Sequence, residues 1–330
     1  MNKSFDVKKF ASKNSIYIVL IFLIIVVTIA SPKFLTVGNI INLFTTESIK
    51  GLLALGVAFC ILSKGIDLSL GSIVALSAVV SASLIQNPTY SAQMFKGLDM
   101  PIGIGVPVAI IAGILAGTIF GVINGALIAY TKIPPFIATL GSMVVVRGLA
   151  MLYTNAYPVP MLKNEFKTVG QGNILGIPNL LIILIIFALI AWFLLNHTKF
   201  GKNVYAIGGN DVAARVAGIK VKKNIILVYT WSSFCAAVAG VLLAARTGSG
   251  IATLGLNYEL DAIAAATIGG VSHNGGVGRI GGVIAGILIL GVVNNGLLLL
   301  GVSPYIQQIV KGLIIVGAVV FDMRKNAKAA

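Results

Sequence analysis

The stretch "NHTKFGKNVYAIGGNDVAARVAGIKVKKN", residues 196–224, is the longest polar interruption after the N-terminus in a chain that otherwise reads as membrane. It carries six basic residues, Lys199, Lys202, Arg215, Lys220, Lys222 and Lys223, against the single acid Asp211. Its middle, residues 211–217, is rich in alanine, with Asn210 before it and Gly218 after it. An asparagine side chain accepts from the free amides that open a helix, and a glycine just past the end supplies the left-handed turn that stops one. The pattern therefore predicts a short capped helix inside a basic segment. Segments rich in Lys and Arg between apolar runs stay on the cytoplasmic side of a membrane. Two roles fit: an ordinary positively charged loop, or a surface that a second protein grips.

Composition supports a membrane reading. Of 330 residues, 58% are apolar and 10% are charged, against about 25% charged in a soluble domain. A net charge of +15 raises nucleic acid as a partner, and the placement of that charge rules it out. Residues 1–14 hold +3, residues 196–224 hold +5 and residues 322–330 hold +2, whereas the turns predicted on the opposite side total only +2. Charge divided by side of a membrane is the positive-inside pattern, not a contiguous patch for DNA. Cys60 and Cys235 both fall in apolar runs without metal or redox spacing, and read as small lipid- or helix-facing residues.

Taken in order, the chain predicts an all-α polytopic membrane protein. A basic tail (1–14) precedes a first apolar run, 16–29, which reads as an uncleaved span rather than a signal peptide because Ile29 spoils the small-residue cleavage site. Nine further runs follow, at 51–63, 68–85, 101–130, 136–153, 178–195, 225–246, 259–271, 280–301 and 305–321. About ten transmembrane helices would bring both termini to the cytoplasm, on the same side as 196–224. The domain organisation expected is a single membrane domain over 15–321 between the tails 1–14 and 322–330. Two runs, 51–63 and 259–271, cover only about 20 Å as helix, short of a ~30 Å hydrocarbon core. They read either as broken or tilted helices lining a path, or as helices that start among the headgroups. An internal echo at a constant offset of 170 aligns Gly121, Asn124 and Pro134 with Gly291, Asn294 and Pro304. Five crossings separate the copies, so the halves read as two inverted five-helix repeats, with chance similarity between apolar runs as the competing account.

Enzyme readings fail on inventory. His197 and His273 stand in no zinc setting, and there is no phosphate-binding loop. The match of "GVGRIG" (276–281) to a dinucleotide fingerprint is spurious, because an apolar span follows it and no acid lies about 20 residues on. No catalytic residue, metal site or cofactor is expected in this chain. Gly113, Gly117, Gly121 and Gly125, like Gly278, Gly282 and Gly286, recur every four residues and make smooth ridges for close helix packing or for sliding. The ionisable residues within spans, Arg147, Arg246, Glu259, Asp261 and Lys311, read as snorkelling near span ends. Ion coupling needs a carboxylate at the midplane, and Asp261, the nearest candidate, lies two residues into its run; energy is therefore expected from outside the chain. Asn124, Asn294 and Asn295 fall well inside apolar runs, where they either bond neighbouring helices or touch a hydroxylated solute.

Five motifs carry a resemblance that runs essentially the whole chain: "KGIDLSLGSIVALSA" (64–78), "PPFIATLGSM" (134–143), "FGKNVYAIGGNDVAARVAGIKV" (200–221), "YELDAIAAATIGGVSHNGGVGRIGG" (258–282) and "GVSPYIQQIVKGLIIVGAVVFD" (301–322). Together they resemble the permease subunits of bacterial ABC sugar importers of the ribose and galactose/methyl-galactoside type. The resemblance implies a type II importer-like bundle in the bacterial plasma membrane. It further implies a second permease subunit, two cytoplasmic ABC ATPase modules that hold the ATP and Mg, and an extracytoplasmic sugar-binding protein. It makes 210–218 the coupling helix that docks into the ATPase, through Asn210, Asp211, Ala213, Ala214, Arg215 and Gly218, with Val212 where importers commonly carry a glutamate. The "GIDLS" turn (Gly65, Asp67, Ser69) and "YELDAIAA", with Glu259 and Asp261, are signatures of that family, and are read here as standing beside the translocation path, to which Asn124, Asn294 and Asn295 are candidate contributors. Permeases of the same superfamily for nucleosides or branched-chain amino acids, and an ion-coupled carrier, are the alternatives. If 210–218 is the docking element, Arg215→Glu or Gly218→Pro uncouples ATP hydrolysis from uptake while leaving membrane insertion intact; normal uptake by both variants would remove the assignment.

Overall fold

A computed structural model describes residues 15–327, and these are helical almost throughout. In chain order they form α1 (Ser15–Ala30), α2 (Val37–Leu62), α3 (Leu70–Ser83), α4 (Ile102–Thr131), α5 (Pro135–Thr154) and α6 (Asn164–Gln171). A two-stranded antiparallel hairpin, β1 (Asn173–Ile174) and β2 (Ile177–Pro178), leads to α7 (Asn179–His197), α8 (Lys199–Gly209), α9 (Asp211–Val216) and α10 (Val221–Thr247). The chain ends with α11 (Tyr258–Ile268), α12 (Ile280–Leu299) and α13 (Pro304–Ala327). Six of these, α2, α4, α5, α7, α10 and α12, are long and apolar enough to cross a bilayer. Shorter apolar helices, α1, α3 and Pro304–Val320 within α13, accompany them.

Most apolar runs became helices within a few residues of their expected limits, because hydrocarbon admits a backbone only when its polar groups are paired internally. Three expectations need correction. The run 51–63 is not a short or broken span but the second half of α2, a helix of 26 residues. Its first half lies in 31–50, which reads as a turn because Glu47 and Lys50 lower its hydropathy; those two charges offset each other in space, as shown below. Residues 196–224 hold two helices, since Thr198 Oγ1 caps α8 by accepting from the Gly201 amide (3.2 Å). The tail 322–330 is helical through Ala327, and the expectation for 1–14 lies outside the described residues. The second short run is short in fact: α11 has 11 residues, and α3 has 14.

At the centre of the bundle, α10 packs against α4, α3 and α2, and α2 in turn meets α11, α12 and α7. The outer helices turn Ile21, Phe22, Val144, Val145, Leu189, Leu313 and Val316 outward, as a surface against lipid or a partner subunit requires. Gly113, Gly117, Gly121 and Gly125 all face the α10–α3 side. A Cβ at Gly121 would lie 2.5 Å from the Tyr229 carbonyl oxygen and 2.6 Å from Ser233 Cβ; one at Gly125 would lie 2.6 Å from Ile226 Cα. Only hydrogen fits between these backbones. The second ridge works likewise, with Gly282 against the Gly269 carbonyl and Gly286 against the Ala265 carbonyl, seating α12 on α11. Cys60 and Cys235 are buried between helices as free thiols.

Two helices begin inside the bundle instead of at its surface. After α2, residues 63–69 form a non-helical segment that starts at Lys64 with φ +62° and delivers the chain to α3. After α10, residues 248–257 turn back and deliver it to α11. The two N-termini approach each other: a Cβ at Gly71, in the first turn of α3, would strike the Glu259 carboxylate in the first turn of α11. Forcing the α4 ridge apart should be costly. Gly121→Leu is expected to lower stability by more than about 3 kcal/mol, as overpacking against fixed backbone does, seen as a large Tm loss in detergent. Gly103→Leu, on the same helix with nothing within 4 Å, should leave Tm within a few degrees.

Candidate functional site

The expected docking element forms as a small capped helix. Asn210 Oδ1 accepts from the Ala213 amide at 3.0 Å, opening α9, and Gly218 closes it at φ +82°. Ala214 is buried against Ile207 and Val221, whereas Val212 and Val216 are exposed. Asp211 and Arg215 form an exposed (i, i+4) pair at 2.9 Å, worth little by itself. Thus α9 presents two bare valines and an ion pair on a fixed seat.

The residues just before α9 are wedged into the body of the bundle. Gly208 lies so close to the Leu62 carbonyl that no Cβ could stand there. Lys64 Nζ donates to the Gly209 carbonyl at 3.2 Å, and the Gly276 amide donates to the Leu62 carbonyl at 2.8 Å. Tyr205 on α8 donates its hydroxyl to the Gly278 carbonyl at 2.9 Å, and burial pushes its phenol pKa up, with the Arg279 charge pulling the other way. The end of α2, the 270–279 loop and the approach to α9 are therefore one hydrogen-bonded block.

From that block the segment 65–69 runs into the bundle. Gly65 has no room for a side chain because the Tyr229 hydroxyl occupies the position. Asp67 is fully buried, and its Oδ1 accepts from the Ser69 amide (3.1 Å) and the Ser69 hydroxyl (2.6 Å). Asn124 Nδ2 on α4 donates to Ser69 Oγ at 3.1 Å, and Thr139 on α5 donates to the Ile66 carbonyl at 3.2 Å. The aspartate lies beside the N-terminal end of α3, where the helix dipole favours negative charge. Of the proposed path residues, Gly65, Asp67, Ser69 and Asn124 are thus brought together.

A second cluster lies halfway along α2. Lys50 Nζ is 3.3 Å from Glu47 Oε1 and 3.4 Å from Asp261 Oδ2, and Lys311 Nζ is 2.7 Å from Asp261 Oδ1. Two carboxylates and two ammonium groups from α2, α11 and α13 leave no net charge. Asn294 lines a cavity of about 10 Å³ beside Glu47, Lys50 and Asp261, too small for a solute. Glu259 is buried in the same first turn of α11, next to Gly71 of α3. Asn295 lies apart from both clusters: it exchanges two hydrogen bonds with Asn39, at 2.8 and 2.9 Å, tying α12 to the start of α2.

The snorkelling expectation fails for all five residues, Glu259 and Asp261 being buried. Lys311 is paired as above, Arg147 Nη1 donates to the carbonyls of Ala252 (2.6 Å) and Leu254 (2.9 Å), and Arg246 Nη2 donates to Thr46 Oγ1 (2.9 Å). Sequence reasoning missed Glu47, Lys50, Thr139 and Tyr229. Glu47 and Lys50 carried a signal: spaced by three, they share one helix face, and opposite charges on one face read as a pair. Among the described residues no group of three or more His, Cys, Asp or Glu could hold a metal.

The family model described as "Branched-chain amino acid transport system / permease component" matches residues 39–319. The chain is 42% identical over 334 residues to the galactose/methyl galactoside import permease protein MglC of Haemophilus influenzae, covering 99% of this chain and 98% of the relative. It is 42% identical over 327 residues to MglC of Escherichia coli (97% and 96% covered). It is 44% identical over 310 residues to the ribose import permease protein RbsC of Bacillus subtilis (93% and 92% covered). No solved structure matches it. A match over nearly the whole chain, on a bundle of apolar helices with buried polar clusters, shows that this protein belongs to the branched-chain amino acid transport system / permease component family.

Proposed function

We propose that this chain is the membrane-spanning subunit of an ATP-driven importer for a monosaccharide, galactose or methyl galactoside, or ribose. The observation that carries the reading is the near full-length identity of about 42% to import permeases for those sugars. ATP is hydrolysed by a separate ATPase subunit, which holds the nucleotide and Mg and docks on α9; an extracytoplasmic binding protein delivers the sugar. Two copies of this chain form the conduit. The hydrogen-bonded block joining α9, Leu62, Lys64 and Gly276 supports a mechanical role: a push on α9 is felt at the start of the 65–69 segment.

The chain crosses the membrane ten times, in two inverted five-helix halves, with both termini, α8 and α9 in the cytoplasm. The packing supports this arrangement. One half places a short helix, α3, against α4 and α5; the other places a short helix, α11, against α12 and α13. The long helix of each half, α2 or α10, crosses over to pack on the short helix of the other. The path passes the Asp67–Ser69–Asn124 cluster and the Glu47–Lys50–Asp261–Lys311 cluster, with Glu259 and Asn294 beside the latter. In the conformation described, that second cluster is a closed constriction. Its polar groups suit sugar hydroxyls once α13 moves away.

A second reading follows from the family description, which favours branched-chain amino acids as the solute. Both readings meet one experiment. The full chain is reconstituted in proteoliposomes with an ATPase subunit and a sugar-binding protein from the same organism, and uptake of labelled galactose, ribose and leucine is followed. Sugar uptake that needs ATP and both partners is expected. Uptake by this chain alone would dispose of the reading, and leucine uptake without sugar uptake would establish the second. Within this system Lys311→Met is expected to lower Tm and uptake together, because it strips Asp261 of a partner in a buried site, a change that costs about 3–5 kcal/mol. The double variant Asp261→Asn/Lys311→Met should recover most of the Tm but not the uptake; no recovery would show that the pair is not coupled.

A further inference from the structure

A cleft of about 380 Å³ opens between α8 and the first two turns of α10; it shares only Ala217 and Gly218 with the docking element and no residue with the path assignment. Lys220 and Lys223 stand exposed at its rim, and its lining contains no acid. Among the described residues neither lysine makes an ion pair. Lys222 between them is directed elsewhere, 4.7 Å over the Tyr130 ring. Deeper in, the lining turns apolar: Leu227, 42% exposed, lies one turn below Lys223, and Phe200 forms the facing wall. Phe200 is backed by the core, stacked 6.0 Å from the fully buried Phe59. Trp192 near the end of α7 is exposed and packs on His197 at 4.7 Å. Tryptophan collects where a helix leaves the hydrocarbon for the headgroup layer.

We propose that this cleft binds an anionic phospholipid, its phosphodiester between Lys220 and Lys223 and its first acyl carbons along Leu227 and Phe200. The order of chemistry down the cleft, cationic and then apolar, is that of an amphiphile entering from the membrane. A free anion would make no use of the lower half. No side chain caps the N-terminus of α10, which adds the positive end of a long helix to the two ammonium groups. A docked protein is the less suited occupant, because of the docking element only Ala217 and Gly218, at its far end, reach the lining, and the exposed Val212 and Val216 of α9 contribute nothing to it. A lipid held here would brace the 217–219 turn that ends α9, whichever solute is carried.

The test uses the full-length protein in detergent, titrated with phosphatidylglycerol or phosphatidylcholine, with bound lipid counted by native mass spectrometry. Phosphatidylglycerol is expected to be retained preferentially. Lys220→Gln/Lys223→Gln should reduce that preference by roughly tenfold or more, since each lysine near an anionic headgroup contributes about fivefold. Lys222→Gln, which removes one charge outside the cleft as Lys220→Gln or Lys223→Gln alone removes one inside it, should leave the preference intact where either of those reduces it. Equal retention of the two lipids, or an unchanged preference in the double variant, would overturn the proposal. Displacement of phosphatidylglycerol by excess inorganic phosphate would overturn it in favour of a free-anion site. A photoreactive residue replacing Leu227 in native membranes should label lipid; capture of the ATPase subunit instead would make the cleft a protein interface.

Discussion

Inside hydrocarbon no water is available to satisfy a free amide or carbonyl, and every departure from helix must find its partners within the protein. This constraint bears hardest on residues 63–69, where α2 stops and α3 has not yet begun. The segment is sustained by Ser69 closing on Asp67, by Asn124 reaching Ser69, and by Thr139 reaching the Ile66 carbonyl. Those partners come from α4 and α5, so the non-helical stretch cannot exist until both have packed. The fold and the candidate path are thus one problem: the polar groups that make a path possible are those that make a broken backbone tolerable.

The glycine ridges are what let those partners reach. With α4 pressed to within hydrogen distance of α10, the short side chain of Asn124 spans the gap to Ser69. Any Cβ on the ridge would push α4 away and leave the Asp67 pocket without its amide donor. Close packing in a bilayer rests on van der Waals contact and polar links, because lipid supplies no hydrophobic drive between helices. Both are present here at one interface.

Charge follows a similar logic. Glu47, Lys50, Asp261 and Lys311 would each be costly to bury alone, yet together they cancel. The arrangement joins three helices by contacts that are strong at short range and lost when one helix withdraws. Such a joint opens or closes and has little between, which suits an element with two discrete arrangements.

Several features were legible in the chain itself. The apolar runs predicted the helices, because length and hydropathy decide insertion locally. The cap at Asn210 and the stop at Gly218 were readable, since each depends on neighbours within four residues. The five motifs identified the family for a similar reason: they persist as strings. Other features belonged to the tertiary structure. Glu47 and Lys50 looked like part of a turn because hydropathy sums each residue as if solvated, while the burial of a charge depends on distant partners, here Asp261 for Lys50. Lys311, Arg147 and Arg246 misled in the same way. A sequence states which groups must be satisfied if they enter the membrane; only the packing of α2, α11 and α13 decides that they do, because Asp261 meets Lys50 and Lys311 through space and not along the chain.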